Sequence, residues 1–182
     1  MPPILRGMIL IARGRAEGMN CFRDTPQAVL YSLTPGIGVL IAAVLQGLFG
    51  KEGAAALVEI PGTLCVLLAP SVLSFELARF WGRDGFWNRY IVAFNWCQWV
   101  LPVAGMILVL VLAIARTAGV GGGTGFAVIF VCLAGYALWM NWFIARHGLA
   151  LSKGRAAGFV AAVNLGTMAI VVVPSFLVSL VR

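Results

Sequence analysis

YIVAFNWCQWVLPVAGMILVLVLAIA, residues 90–115, contains no charged side chain. A hydrocarbon core of roughly 30 Å is crossed by about 20 apolar residues in helical form, so this segment alone is long enough to span a bilayer. Water is absent at that depth, and a spanning segment must satisfy its backbone hydrogen bonds internally, which a helix does. Four more uncharged runs obey the same logic: Thr25–Gly50, Ile60–Phe75, Thr117–Ala145 and Ala156–Val181. The run Ile60–Phe75 reaches the required length when Glu59 and Glu76 lie near the two interfaces. The sequence therefore predicts an all-α polytopic membrane protein. Five transmembrane helices are expected at about 33–49, 57–78, 90–115, 126–145 and 156–180.

Composition agrees. Of 182 residues, 62% are hydrophobic and 10% charged, whereas a soluble domain carries about 25% charged residues. The chain reads as one membrane domain over 1–182, with connections too short to form a core of their own.

The net charge of +7 would suit nucleic acid if it were spread over a soluble surface. Its placement says otherwise. Arg6, Arg13, Arg15, Arg23, Arg79, Arg83, Arg89, Arg146, Lys153 and Arg155 fall on one side of the expected spans. Lys51, Arg116 and Arg182 fall on the other. Basic residues favour the cytoplasmic side, which predicts a multi-pass protein of the inner (plasma) membrane, N-terminus inside and C-terminus outside. Anionic headgroups are the natural partner of Arg6, Arg13, Arg79, Arg83, Arg146, Lys153 and Arg155. No nucleic-acid partner is expected.

Residues 4–19 read as an amphipathic helix in the headgroup region. At about 100° per residue, Leu5, Met8, Ala12, Ala16 and Met19 share one face, and Arg6, Arg13 and Glu17 the opposite one. Arg6 and Arg13 leave only Gly7–Ala12 uncharged, too short for the apolar core of a signal peptide. Asp24-Thr25-Pro26 marks a helix start, with Thr25 as N-cap and Pro26 in the first helical position. Thr34-Pro35-Gly36 is read as interrupting the beginning of the first span. Prolines inside spans, including Pro70 and Pro102, predict kinks. Gly154 and Gly158 form a GxxxG that permits close helix approach, or else belong to the preceding loop.

Catalytic chemistry finds little support. Cys21, Cys65, Cys97 and Cys132 lack metal-ligand spacing and read as small apolar residues or free thiols. His147 is the only histidine, which removes bis-histidine haem, most zinc hydrolase sites and an intramembrane Ser–His pair. The glycine-rich loop Gly119–Gly125 lacks the GK[ST] ending of a phosphate cradle. The chain is not expected to be an enzyme, and no cofactor is expected.

What remains is a set of polar residues in or beside the spans: Glu59, Glu76, Asn95, Gln98, Asn141 and Asn164. Asn95 and Gln98 stand one i,i+3 step apart on one helix face. They read either as amides joining helices or as the lining of a pathway. Two amides turned together to lipid would lack partners, so this face is expected to point into the bundle. Ser71, Ser74 and Asn141 lie at suitable depth. Glu76 has Arg79 and Arg83 on its own helix face.

Three segments carry a family resemblance: RGMILIARGRAEGMNCF (6–22), ARFWGRDGFWNRYIVAFNW (78–96) and WFIARHGLALS (142–152). In this order the chain resembles the Yip1-like family of five-pass membrane proteins, in particular its short bacterial branch. The resemblance implies a five-helix bundle with a cytoplasmic N-terminus. Eukaryotic members act in vesicle traffic and contact prenylated small GTPases. This chain lacks their long N-terminal region and their DLYGP motif, so GTPase binding does not carry over. The expected function is that of a non-enzymatic integral membrane protein that organises membrane or partner proteins, binding lipid, itself or another membrane complex. The alternative is a small transporter or channel that uses the polar face of the third span.

Overall fold

A computed structural model of the chain describes residues 3–49, 55–117 and 125–181; side chains at 48, 55–59, 66, 115–117, 126, 171 and 173–181 lie outside that description. The described residues form seven α-helices and two short 3-10 helices, with no strand among them. The helices are α1 (Pro3–Ala12), α2 (Pro26–Phe49), α3 (Ala55–Phe80), α4 (Trp87–Cys97), α5 (Val100–Thr117), α6 (Gly125–Gly148) and α7 (Lys153–Val181). The 3-10 turns are Ala16–Cys21 and Asp84–Phe86. Among the described residues, four helical segments are long and apolar enough to cross a membrane: Pro26–Gly47, Ile60–Phe80, Asp84–Ile114 and Ala127–Gly148. The expected loop at Gly119–Gly125 falls mostly outside the described residues.

Local chemistry sets the boundaries. The Ala28 backbone N–H donates to Thr25 Oγ1 at 3.3 Å, and α2 begins at Pro26, as the cap signal predicted. The expected interruption at Thr34-Pro35-Gly36 is not there. Pro35 is carried within α2, which adds two turns before Leu33. The expected third span, 90–115, is two helices. A proline ring crowds the carbonyl four residues earlier, and for Pro102 that carbonyl belongs to Gln98. The chain answers by tightening: Trp99 N–H donates to the Trp96 carbonyl at 3.2 Å and Leu101 N–H to the Gln98 carbonyl at 3.3 Å. These i→i+3 bonds end α4 and restart the helix as α5.

The amphipathic helix expected over 4–19 is also divided. It stops at Ala12, turns through Gly14 at φ 72°, and resumes as the 3-10 turn Ala16–Cys21. A positive φ is cheap only for glycine, and the reversal folds the two pieces into a hairpin. A Cβ on Gly18 would stand 2.8 Å from the Gly7 carbonyl oxygen, so the hairpin closes only because Gly18 has none. Ile11 is fully buried and Met19 and Phe22 nearly so, so this segment is docked into the bundle by its apolar side. Arg6 and Arg13 remain exposed.

α4 is the hub of the packing. It touches α1, α2, α3, α5 and α6, and Tyr90, Ile91, Val92, Ala93 and Cys97 are buried along it. The core continues through Met140, Phe143, Ile144 and Leu149 of α6 and its following turn, and Ala156 and Phe159 of α7. All of these lie at the end of the bundle where α4 and α7 begin and α6 finishes. The opposite halves of α2, α5 and α6 expose large apolar side chains, among them Ile41, Leu110 and Phe130. Among the described residues the GxxxG pair takes no part in packing, because a Cβ on Gly154 or Gly158 would meet nothing within 4 Å. α7 closes on α3 at Gly166 instead, where a Cβ would meet Leu73 Cδ1 at 2.8 Å.

Candidate functional site: a cavity at the helix break

The break between α4 and α5 opens a cavity of about 360 Å³ against α2 and α3. Its walls are mostly apolar, with Gly36, Leu67, Trp99 and Pro102 among them, and its polar groups come from Ser32, Asn95 and Gln98. Proline shapes both sides, since Pro70 of α3 faces the cavity as well.

The two amides of the third span are both joined to neighbouring helices. Asn95 Nδ2 donates to Ser32 Oγ of α2 at 2.9 Å, and Ser32 in turn donates to the Val29 carbonyl at 2.7 Å. Gln98 Nε2 donates to Asn141 Oδ1 of α6 at 3.2 Å. One helix is thus tied in two directions at one level, as expected for an amide face turned inward. Asn141 was among the expected partners. Ser32 was not, because the first span was read as beginning after it. Ser74 is engaged elsewhere: it is fully buried and accepts from Trp87 Nε1 at 3.0 Å. Among the described residues, Asn95 Oδ1 and Gln98 Oε1 accept no hydrogen bond. The cavity therefore joins apolar walls to the polar side chains of Ser32, Asn95 and Gln98, a surface suited to an amphiphile with a small polar group.

The other polar positions do not converge here. Asn164 is exposed, and its Nδ2 donates to the Val160 carbonyl of its own helix at 2.8 Å. Among the described residues it neither lines the cavity nor joins another helix. Glu76 is exposed, and among the described residues neither Arg79 nor Arg83 pairs with it. Glu59 lies in α3, with its side chain outside the described residues. No group of three or more histidine, cysteine, aspartate or glutamate side chains forms a metal site among the described residues.

The basic residues gather at the packed end. Arg79 lies in the last turn of α3 and Arg83 just beyond it, Arg146 closes α6, and Lys153 and Arg155 open α7. Two rest on aromatic rings: Arg146 Cζ is 5.5 Å from the Trp142 ring centre and Arg83 Cζ 6.0 Å from that of Phe86. Cation–π contact of this kind orders a guanidinium while leaving its N–H edges free. Along α6, Tyr136, Trp139, Phe143 and His147 form an aromatic ladder at centroid spacings of 5.6, 5.5 and 4.3 Å, the first two pairs stacked and the last tilted. His147 Nδ1 lies 3.0 Å from the Phe143 carbonyl, within its own helix. The chain matches no protein-family model, no curated protein and no solved structure.

Proposed function

We propose that this is a non-enzymatic integral membrane protein that organises its membrane by holding an amphiphile, a lipid or a segment of a partner, in the cavity beneath the α4–α5 break. The observation that carries the reading is the lining: apolar walls with the amide residues Asn95 and Gln98 among them. At about 360 Å³ the cavity is at the small end for ligand sites, so it takes one chain or one ring rather than a whole lipid.

In this reading α7 is the fifth span, the N-terminus is cytoplasmic and the C-terminus lies outside, in the plasma membrane. Support comes from the length of α7 and from the placement of the basic residues. Relationship to the Yip1-like family is part of the proposal and rests on the three quoted segments.

The test is native mass spectrometry of protein released from membrane nanodiscs. Wild type should retain an amphiphile that Asn95→Leu/Gln98→Leu loses. Equal retention by both would reject the cavity as the binding site.

One observation favours a second reading. Transporters place their sites at discontinuous helices, and the third span is discontinuous at its polar residues. A transporter would move solute across sealed proteoliposomes, and the double variant would stop it. The scaffold reading expects no flux from either.

A further inference from the structure

A second cleft, of about 330 Å³, lies on the other side of the α2–α4 contact, under the amino-terminal hairpin. Ile4, Phe22 and Val92 give it an apolar floor, and Arg23, Tyr31 and Trp96 give it a polar rim. These three carry a guanidinium, a phenol and an indole N–H. Among the described residues none of them has a hydrogen-bond or ion-pair partner. Arg23 and Tyr31 are also exposed. The hairpin wall is firmly built: Phe22 is nearly buried, and a Cβ on Gly7 would be 2.8 Å from its ring.

We infer that this cleft binds one anionic glycerophospholipid, with its phosphate at Arg23 and an acyl chain along Ile4, Phe22 and Val92. The inference rests on the reading of the bundle as membrane-spanning. Three unpartnered donors around an apolar slot call for a ligand with several acceptor oxygens on an apolar tail. A phospholipid has both. Arginine matches a phosphate with two parallel N–H donors, while Trp and Tyr sit well where headgroup meets chain. The neighbouring Asp24 is exposed, and its carboxylate suits a headgroup with hydroxyl donors, as glycerol has. The source of the anion is the membrane itself, since an apolar floor gives free phosphate no advantage.

Cys21 lines the cleft and is half-buried, so its thiol reports occupancy. In a background with the exposed Cys65 and Cys132 changed to serine, Cys21 is labelled with a polar maleimide in nanodiscs. The lipids are phosphatidylcholine alone or phosphatidylcholine with phosphatidylglycerol. Phosphatidylglycerol should slow labelling about fivefold, the equivalent of about 1 kcal/mol for one basic residue at an anionic surface. Arg23→Gln should remove the difference and Arg23→Lys should keep part of it. Arg15→Gln, exposed and outside the cleft, should keep all of it. Equal rates in the two lipids would overturn the inference, as would loss of protection in Arg15→Gln to the same degree as in Arg23→Gln. Alkaline carbonate extraction is run in parallel: release of the protein would refute the membrane reading, and retention with unprotected Cys21 would refute the cleft alone.

Discussion

The phenol of Tyr136, in α6, donates to the carbonyl of Ala12, the last residue of α1, at 2.7 Å. Tyr136 is twelve residues from Gly148 at the end of α6, about 18 Å along the axis. The amino-terminal hairpin therefore reaches well down the side of α6 rather than resting on its end. Gly14 packs at the same place, since a Cβ there would lie 3.3 Å from the Trp139 ring.

Tyr136→Phe should loosen this attachment while leaving the bundle folded. The loss of one hydrogen bond is worth about 0.5–1.5 kcal/mol. Because the partner is a helix-terminal carbonyl, the effect should appear locally, as faster labelling of Cys21. Unchanged labelling would mean that the hairpin is held by its apolar contacts, Ile11, Met19 and Phe22 among them, without this hydrogen bond.

Gln98 and Asn141 invite a double-mutant cycle. Interhelical hydrogen bonds within membranes average about 0.6 kcal/mol, and a single Gln98→Leu leaves Asn141 Oδ1 without its donor. We expect each single leucine variant to lower unfolding stability, and the double variant to lose less than their sum. Strict additivity, measured by steric trapping in bicelles, would show that the two amides are not coupled.

Small residues in this chain are not equivalent. Gly18→Ala should cost about 1–3 kcal/mol, the usual penalty for overpacking, because its neighbour is backbone. Gly158→Ala should be neutral or slightly stabilising, because alanine is the better helix former and its methyl meets nothing. Thermal unfolding in one detergent compares the two directly, and equal midpoints would contradict the packing described at Gly18.

Reporter fusions address orientation. Fusions at Asp84 and Lys153 should read cytoplasmic, and one at Gly121 external. Reversal at two of these sites would overturn the orientation and, with it, the assignment of the basic end to the cytoplasm.

Uncharged runs made the long helices legible, because at bilayer depth both charge and unpaired backbone are excluded. The inward turn of Asn95 and Gln98 followed from the same cost. Proline was harder to weigh. Pro35 and Pro102 look alike in sequence, yet α2 absorbs the first and the third span breaks at the second. The N-terminal hairpin was missed because a single 100° period fits residues 4–19 tolerably. Gly14 between two arginines was the available sign, and Ile11, off the chosen face, is fully buried. Ser32 was overlooked once the first span was read as starting after it.

The hydrophobic core is gathered at one end, while the far halves of α2, α5 and α6 expose apolar side chains. Rods gathered at one end take their spread at the other from whatever fills the space between them. If the helices cross a bilayer as proposed, acyl chains fill that space and belong to the tertiary structure, as Phe159 does in the core. A micelle and a bilayer would give the same sequence two different outlines, tight and alike at the basic end and divergent at the other.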